Sequence, residues 1–109
     1  MSIILKNKKR HRYIGFIINS TSKLPIKSLM QKEIQRQCKS LFNKESKEMG
    51  IRIIRINGNY GIIKCNHVEK NNLINLLKSI KKIGSKDVKI DTIATSGTIR
   101  SLVNKHMKV

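Results

Sequence analysis

Several residue types are scarce in this chain of 109 residues, and each scarcity excludes a class of protein. There are two cysteines, Cys38 and Cys65, which lie far apart and form no CxxC pair. A disulfide framework is therefore excluded, and a reducing, intracellular environment is expected. Two separated cysteines and three scattered histidines also fail to form a zinc-binding pattern.

Long apolar runs are missing as well. The longest unbroken apolar stretch has only a few residues, which excludes a transmembrane helix. The chain turns basic directly after Met1 to Leu5, and this short start lacks the apolar length of a secretory signal. The expected location is the cytoplasm, with no membrane partner.

Positive charge is what the chain has in excess. Lysine and arginine number 24 against 6 acidic residues, a net charge of +18. Such a charge favours a polyanionic partner. Disorder is excluded because 39% of the residues are hydrophobic and isoleucines cluster in blocks such as 51–56. The sequence predicts a basic arm over residues 1–11 and one folded domain over residues 12–109.

Hydrophobic periodicity divides that domain into seven elements. Strands are predicted over residues 12–20, 51–56, 60–65 and 88–95, and helices over residues 26–42, 68–83 and 99–106. Pro25 suits a helix start, Asn57-Gly58 predicts a hairpin turn, and Gly84 suits the left-handed cap of the second helix.

The order βαββαβ is typical of ferredoxin-like α+β folds, which include the RNA-recognition motif. Each of the two long helices has a single apolar stripe, so both are expected on the same face of an antiparallel sheet. The other face then needs a cover, a ligand or a partner.

Catalysis by this chain is not predicted. The six carboxylates form no pair spaced for general acid and base chemistry. His67 falls at a strand-to-helix junction, where a capping role is expected. Cys38 and Cys65 fall on inward faces and are expected in the core. The anion loop of acylphosphatases, which share the fold class, has no counterpart after the first strand.

Base stacking on the sheet is not predicted either. RNA-recognition motifs stack bases on aromatic residues of the central strands. Here isoleucines occupy those positions in the third strand, and Tyr13 and Phe16 fall on opposite faces of the first. Reading of a specific single-stranded sequence is therefore not expected.

Phosphate contacts are the remaining possibility, because they need only charge and backbone donors. The segment from Ser96 to Arg100 places glycine, hydroxyls and an arginine at a helix start, where free N–H groups can meet an anion. A plain helix cap by Ser96 or Thr98 explains the same residues. The basic arm likewise is either a contact or a solvated run. The candidate RNA-binding residues are Lys8, Lys9, Arg10, Arg12, Lys64, Ser96, Gly97, Thr98 and Arg100.

Three segments together resemble a known family. Arg12-Tyr13-Ile14, Gly61-Ile62-Ile63-Lys64-Cys65 and Ser96-Gly97-Thr98-Ile99-Arg100 are similar, in order and spacing, to the family of ribonuclease P protein component 2. This is the archaeal branch of the small Pop/Rpp subunits shared by ribonuclease P and MRP particles. The resemblance spans about residues 10 to 103.

The resemblance implies a role in a ribonucleoprotein endonuclease that removes the 5′ leader from precursor tRNA. The RNA subunit would carry the chemistry with Mg²⁺, and the protein would bind no cofactor. Implied partners are ribonuclease P RNA, precursor tRNA, protein component 3 and other protein subunits, with self-association into a two-plus-two heterotetramer.

Two other functions fit a basic domain of this class. One is a ribosomal-protein-like RNA-binding module or RNA chaperone. The other is a metabolite-binding regulatory domain, against which the charge of +18 argues.

Overall fold

The computed structural model describes residues 10–20, 27–84 and 86–106, and its elements follow the predicted order closely. The predicted arm residues 1–9 lie outside this part of the chain, so the division into an arm and a domain stays a prediction. The elements are β1 (His11–Ser20), α1 (Lys27–Phe42), β2 (Arg52–Asn57), β3 (Tyr60–Asn66), a 3-10 turn (His67–Glu69), α2 (Lys70–Ser79), β4 (Lys82–Ile83), β5 (Lys86–Ser96) and α3 (Ile99–His106).

The strands form one antiparallel sheet in the order β2-β3-β1-β5-β4. The α+β, ferredoxin-like prediction is confirmed, since β1 and β2 flank β3 and are joined through α1. The β2–β3 hairpin is also present, with Asn57 paired to Tyr60. Its two central residues are Gly58 and Asn59, and Gly58 has a φ of +64°, as in turns with glycine in the first central position.

The predicted end of the second helix is wrong. Helix α2 stops at Ser79, and Ile80 has an extended backbone with ψ of 118°. Ile83 is buried as expected, but in β4, which pairs with β5. Gly84 has the predicted positive φ, at +65°, but lies between β4 and β5 and caps no helix. Because buried isoleucines suit helix and strand alike, their spacing could not reveal the change.

Helices α1 and α2 cover one face of the sheet and enclose the main core. Phe16 on β1 is fully buried there, and a Cβ added at Gly61 on β3 would overlap its ring. Helix α1 contributes Met30, Ile34 and Cys38 to the core. Leu29 and Leu41 have the same three- and four-residue spacing, which predicts burial, but they are exposed.

Helix α3 lies on the opposite face of the sheet. Leu102 of α3 and Ile62 of β3 are buried against each other. Partly buried residues surround them: Tyr13, Ile54, Tyr60, Ala94, Ile99 and Val103. Of the three possibilities expected for this face, a cover, a ligand or a partner, the structure shows a cover, and the chain supplies it as a short helix of its own.

Two β-bulges shift the strand register. One lies in β2 between Ile53 and Arg55, and the other interrupts the β1–β5 pairing between Gly15 and Phe16, where Ile93 of β5 has no partner. A bulge adds one residue to one strand, so every pair beyond it is displaced by one position. These displaced pairs lie at the end of the sheet where α3 begins.

Candidate nucleic-acid interface

One end of the sheet collects most of the predicted site residues. Strand β1 begins there, while β3 and β5, which are antiparallel to it, end there. Helices α2 and α3 follow β3 and β5, so both begin at this end. We call it the basic end and define it by Arg10, Arg12, Arg52, Lys64, Lys70, Ser96, Gly97, Thr98 and Arg100.

Arg12 joins the first strand to the start of α3. Its Nη1 donates a hydrogen bond to the carbonyl oxygen of His11 at 3.2 Å. A Cβ built on Gly97 would lie 3.6 Å from the same Nη1, so the guanidinium lies beside the glycine. Arg12 and Gly97, 85 positions apart in the sequence, belong to two of the predicted segments and therefore lie side by side.

The Ser96–Arg100 segment is a capped helix start. Thr98 Oγ1 accepts a hydrogen bond from the amide of Ser101 at 3.1 Å, and Ser96 Oγ accepts one from the amide of Thr98 at 3.4 Å. The alternative of a helix cap is thus confirmed for Thr98. Two amides are satisfied by these hydroxyls. The amides of Ile99 and Arg100 have no hydrogen-bond acceptor within the described residues.

The Arg100 side chain is exposed at this start. Within the described part of the chain it has no hydrogen bond or ion pair. It therefore does not tie α3 to the sheet through a polar contact. Arg10, just before β1, is also exposed, and its carbonyl accepts a hydrogen bond from the amide of His67 at 2.9 Å.

Lys64 lies on β3 opposite Tyr13 of β1, on the face that α3 covers. Its other neighbour is Arg52 of β2, which sequence reasoning missed. A hairpin without a bulge would place Ile53 opposite Lys64. Because the sequence does not reveal the register shift, it could not predict that Arg52 lies beside Lys64. Lys70, the first residue of α2, was also missed as a site residue, although the charge on that helix was noted. Lys8 and Lys9 lie outside the described residues.

His67 does not cap a helix with its side chain. It begins the 3-10 turn, the preceding Asn66 makes no side-chain cap bond, and the imidazole is exposed. The expected role is replaced by a backbone contact, the hydrogen bond to Arg10. This contact fixes the position of the chain entering β1 against the start of α2.

The carboxylate and thiol groups near the basic end have structural roles. Glu69 is the buried carboxylate, and hydrogen bonds from Asn72 (2.9 Å) and Lys44 (3.0 Å) lower its pKa. It therefore remains ionised and ties the loop after α1 to α2. Burial raises the pKa of Cys38 and Cys65 to about 11, so both thiols are protonated core residues.

Within residues 10–20, 27–84 and 86–106, no group of three or more His, Cys, Asp or Glu side chains is placed to hold a metal ion. None of the helices in those ranges has the length and apolar character needed to cross a membrane. What the basic end offers is several cations, free amides and hydroxyls, which suit the phosphate backbone of a nucleic acid.

The fold and this end together define a small ferredoxin-like domain with a cationic sheet end. The family model described as the Rpp14/Pop5 family matches residues 12–107. The chain belongs to the Rpp14/Pop5 family, as its three motifs predicted.

Relatives agree with this assignment. The chain is 28% identical over 102 residues to ribonuclease P protein component 2 of Archaeoglobus fulgidus, covering 94% of this chain and 93% of the relative. Its fold is similar to a chain in the cryo-EM structure of yeast ribonuclease MRP, with a TM-score of 0.62 and 10% identity. That similarity covers 84% of this chain and 77% of the yeast chain and concerns the fold alone.

Proposed function

We propose that this chain is a protein subunit of ribonuclease P, the ribonucleoprotein endonuclease that hydrolyses precursor tRNA to remove its 5′ leader. The observation that carries the proposal is the family match over residues 12–107. The near full-length similarity to an archaeal ribonuclease P protein supports it. The basic end gives the match a physical basis, because its cations would contact RNA phosphates.

In this role the chain binds and stabilises the catalytic RNA and carries no chemistry itself. The RNA would hold Mg²⁺ for the attacking water and the leaving oxygen. Glu69 and the two thiols are consistent with this division, since Glu69 is engaged in structural contacts and both thiols are protonated. Neutralising phosphates would let the RNA compact at lower salt.

The proposed partners are ribonuclease P RNA, precursor tRNA, protein component 3 and other protein subunits, in the cytoplasm. Pairing with component 3 and self-association would give a two-plus-two heterotetramer. Co-expression with component 3 followed by size-exclusion chromatography tests this pairing. A stable complex is expected, and two separate peaks would contradict it.

The main test is to capture the tagged protein from an extract of its own cells and sequence the bound RNA. Ribonuclease P RNA, with precursor tRNAs that retain their leader, should be enriched. Enrichment of ribosomal RNA without ribonuclease P RNA would favour the ribosomal-protein-like alternative and overturn the proposal. A parallel capture at raised salt controls for contacts made by net charge alone.

A cleavage assay tests the division of labour. The purified chain should leave precursor tRNA intact, and addition of ribonuclease P RNA with Mg²⁺ should restore cleavage at the mature 5′ end. The preparation is first treated with micrococcal nuclease to remove carried-over RNA. Correct cleavage by the treated protein alone would show that the chain is catalytic.

A further inference from the structure

A row of four side chains crosses the sheet at the basic end, one from each of four neighbouring strands. Arg52 of β2 lies opposite Lys64 of β3, Lys64 opposite Tyr13 of β1, and Tyr13 opposite Ser96 of β5. Residues directly opposite in antiparallel strands point to the same face. Because Tyr13 packs toward Ile62 and Leu102, that face is the one that α3 covers. We call these residues the cross-strand row.

Both bulges are needed for this row. In β2 the pairing steps from Arg55–Ile62 to Ile53–Ile63, which brings Arg52 opposite Lys64. Between β1 and β5 it steps from Phe16–Thr92 to Gly15–Ala94, which brings Ser96 opposite Tyr13. Without these shifts Ile53 would face Lys64 and Thr95 would face Tyr13. Bulges commonly re-aim side chains beside functional sites.

The Arg52–Lys64 pair is unfavourable for the isolated fold. Side chains directly opposite have Cβ atoms about 5 Å apart, and like charges at that separation repel each other. Among the described residues, neither cation has an acidic partner, since the ion pairs there involve other lysines and arginines. An anion placed between the two side chains would turn this repulsion into attraction.

The row continues toward the start of α3. Ser96 Oγ lies 3.4 Å from the amide of Thr98, and the exposed Arg100 follows in the first turn of the helix. From β2 to β5 the row crosses three strand spacings, about 14 Å. One strand of a nucleic-acid duplex carries a charge for about every 3.4 Å of axis, so the row can meet more than one phosphate.

From these observations we infer that the cross-strand row binds the sugar–phosphate backbone of an RNA strand, with Arg52 and Lys64 clamping one phosphate group. The strand runs across the sheet toward Arg100. Tyr13 is half-buried against the α3 cluster, so it supports the row and does not serve as a free stacking surface. The inference rests on the proposed function for the identity of the RNA, but the clamp itself needs only a phosphodiester chain.

The test compares two double variants with the same net charge. Arg52→Gln/Lys64→Gln removes the clamp, and Lys32→Gln/Lys78→Gln removes two exposed cations from α1 and α2. Affinity is measured at several salt concentrations for transcribed ribonuclease P RNA of the source organism and for polyuridylate. Thermal melting of each protein is measured beside it.

The clamp variant should bind ribonuclease P RNA more weakly, and its plot of log affinity against log salt should flatten by about 0.7 to 0.9, the change expected for the one phosphate that the clamp holds. Its melting temperature should equal or exceed that of the wild type, because the like-charge repulsion is gone. The helix variant should keep the wild-type slope. Equal slopes for the two variants would overturn the inference, as would a lowered melting temperature of the clamp variant accompanied by the same loss of affinity.

The two RNAs separate this inference from the proposed function. If the wild type binds polyuridylate as tightly as ribonuclease P RNA, and the clamp variant weakens both, the clamp stands and the proposed function fails. If the wild type prefers ribonuclease P RNA and the clamp variant retains full affinity and slope, the proposed function stands and the clamp fails.

Discussion

The two faces of the sheet differ in how much apolar surface they bury. Among the described residues, the face under α1 and α2 encloses seventeen buried hydrophobic residues, whereas the face under α3 buries two, Ile62 and Leu102. Burial of apolar area is the dominant favourable term in folding. Most of the stability should therefore come from the first face, and the second is free to carry charge.

The two faces also differ in how their cations are arranged. On the face of α3, Arg52 and Lys64 lie opposite each other with no acidic partner among the described residues. On α1 the cations Arg36 and Lys39 are paired with Glu33 and Glu45. Lys32 and Lys78 on the helices also lack ion pairs among the described residues, so the distinctive feature of the α3 face is that two such cations lie directly opposite each other. A polyanion would relieve the repulsion between them.

The largest expected effect is in the main core. Phe16→Ala should lower the free energy of unfolding by about 3 to 5 kcal/mol, because the fully buried ring leaves a cavity. Denaturant unfolding measures it. Gly61→Ala should also destabilise, by about 1 to 3 kcal/mol, since its methyl overlaps the ring of Phe16.

Combining the two changes tests the packing directly. In the Phe16→Ala background the methyl group added by Gly61→Ala enters the space that the ring has left. The further loss in the free energy of unfolding caused by Gly61→Ala should therefore fall toward zero. Strictly additive losses would contradict the contact between ring and glycine.

The next effect separates the two faces. Leu102→Ala should lower the free energy of unfolding by about 2 kcal/mol. This is at the low end for buried leucines, because few residues enclose the side chain. It should also weaken RNA binding, since α3 positions Thr98 and Arg100. The matched control is Leu76→Ala in α2, with equal or greater loss of stability and unchanged affinity while folded. Equal loss of affinity in both variants would remove the functional distinction between the faces.

A smaller effect is expected on the pH dependence of stability, through the carboxylate of Glu69. The folded-state pKa of Glu69 is lowered, first by the hydrogen bond from Asn72, so its stabilisation is present above the ordinary value of 4.5. It is lost as the pH falls through the folded pKa. At pH 7 Glu69→Gln should cost about 1 kcal/mol, with Lys44 half exposed to solvent. Unfolding curves between pH 7 and pH 3 should show the two proteins converging in acid.

The control for Glu69 is Glu45→Gln, in which an exposed carboxylate loses its contact with exposed Lys39. A much smaller difference at pH 7 is expected. If the Glu69→Gln difference were the same at pH 3 as at pH 7, the carboxylate charge would not be its source.

The smallest effect on stability is expected at Arg100. Arg100→Ala should leave the melting temperature near that of the wild type, because its exposed side chain has no polar partner among the described residues. It should reduce the logarithmic salt slope of RNA binding by about 0.7 for a single-stranded contact or 0.9 for a duplex-like one. A fluorescence titration at several salt concentrations measures this.

Thr98→Ala is the comparison for Arg100, because it removes the helix cap and should cost about 1 kcal/mol of stability. Thr98→Ser should keep the cap. If Arg100→Ala lowered the melting temperature and left the salt slope of RNA binding unchanged, Arg100 would have a structural role.

The sequence predicted the element order because its periods are clear. Alternation marks β1, and three- and four-residue steps mark α1. It did not predict the break at Ile80, where one apolar series passes from helix to strand without glycine or proline. Nor did it predict that α3 covers the sheet, since docking of an eight-residue helix depends on contacts with distant strands such as that of Leu102 with Ile62.

The site was predicted only in part, because some of its residues belong to local motifs and others depend on the pairing of strands. Arg12, Lys64 and the Ser96–Arg100 segment came from local motifs, and the structure brings them to one end. Arg52 could not be found, because its pairing with Lys64 depends on the bulge beside Ile54. A one-residue slip changes which side chains face each other, and no local pattern in β2 signals the slip.

A lysine-modification footprint, read by mass spectrometry with and without ribonuclease P RNA, tests most directly whether RNA binds the basic end. Lys64 and Lys70 lie at that end, while Lys32 and Lys78 lie on exposed positions of α1 and α2. We predict that the RNA protects Lys64 and Lys70 from acylation and leaves Lys32 and Lys78 as reactive as in the free protein. Protection of Lys32 and Lys78 with undiminished reactivity at Lys64 would contradict the account.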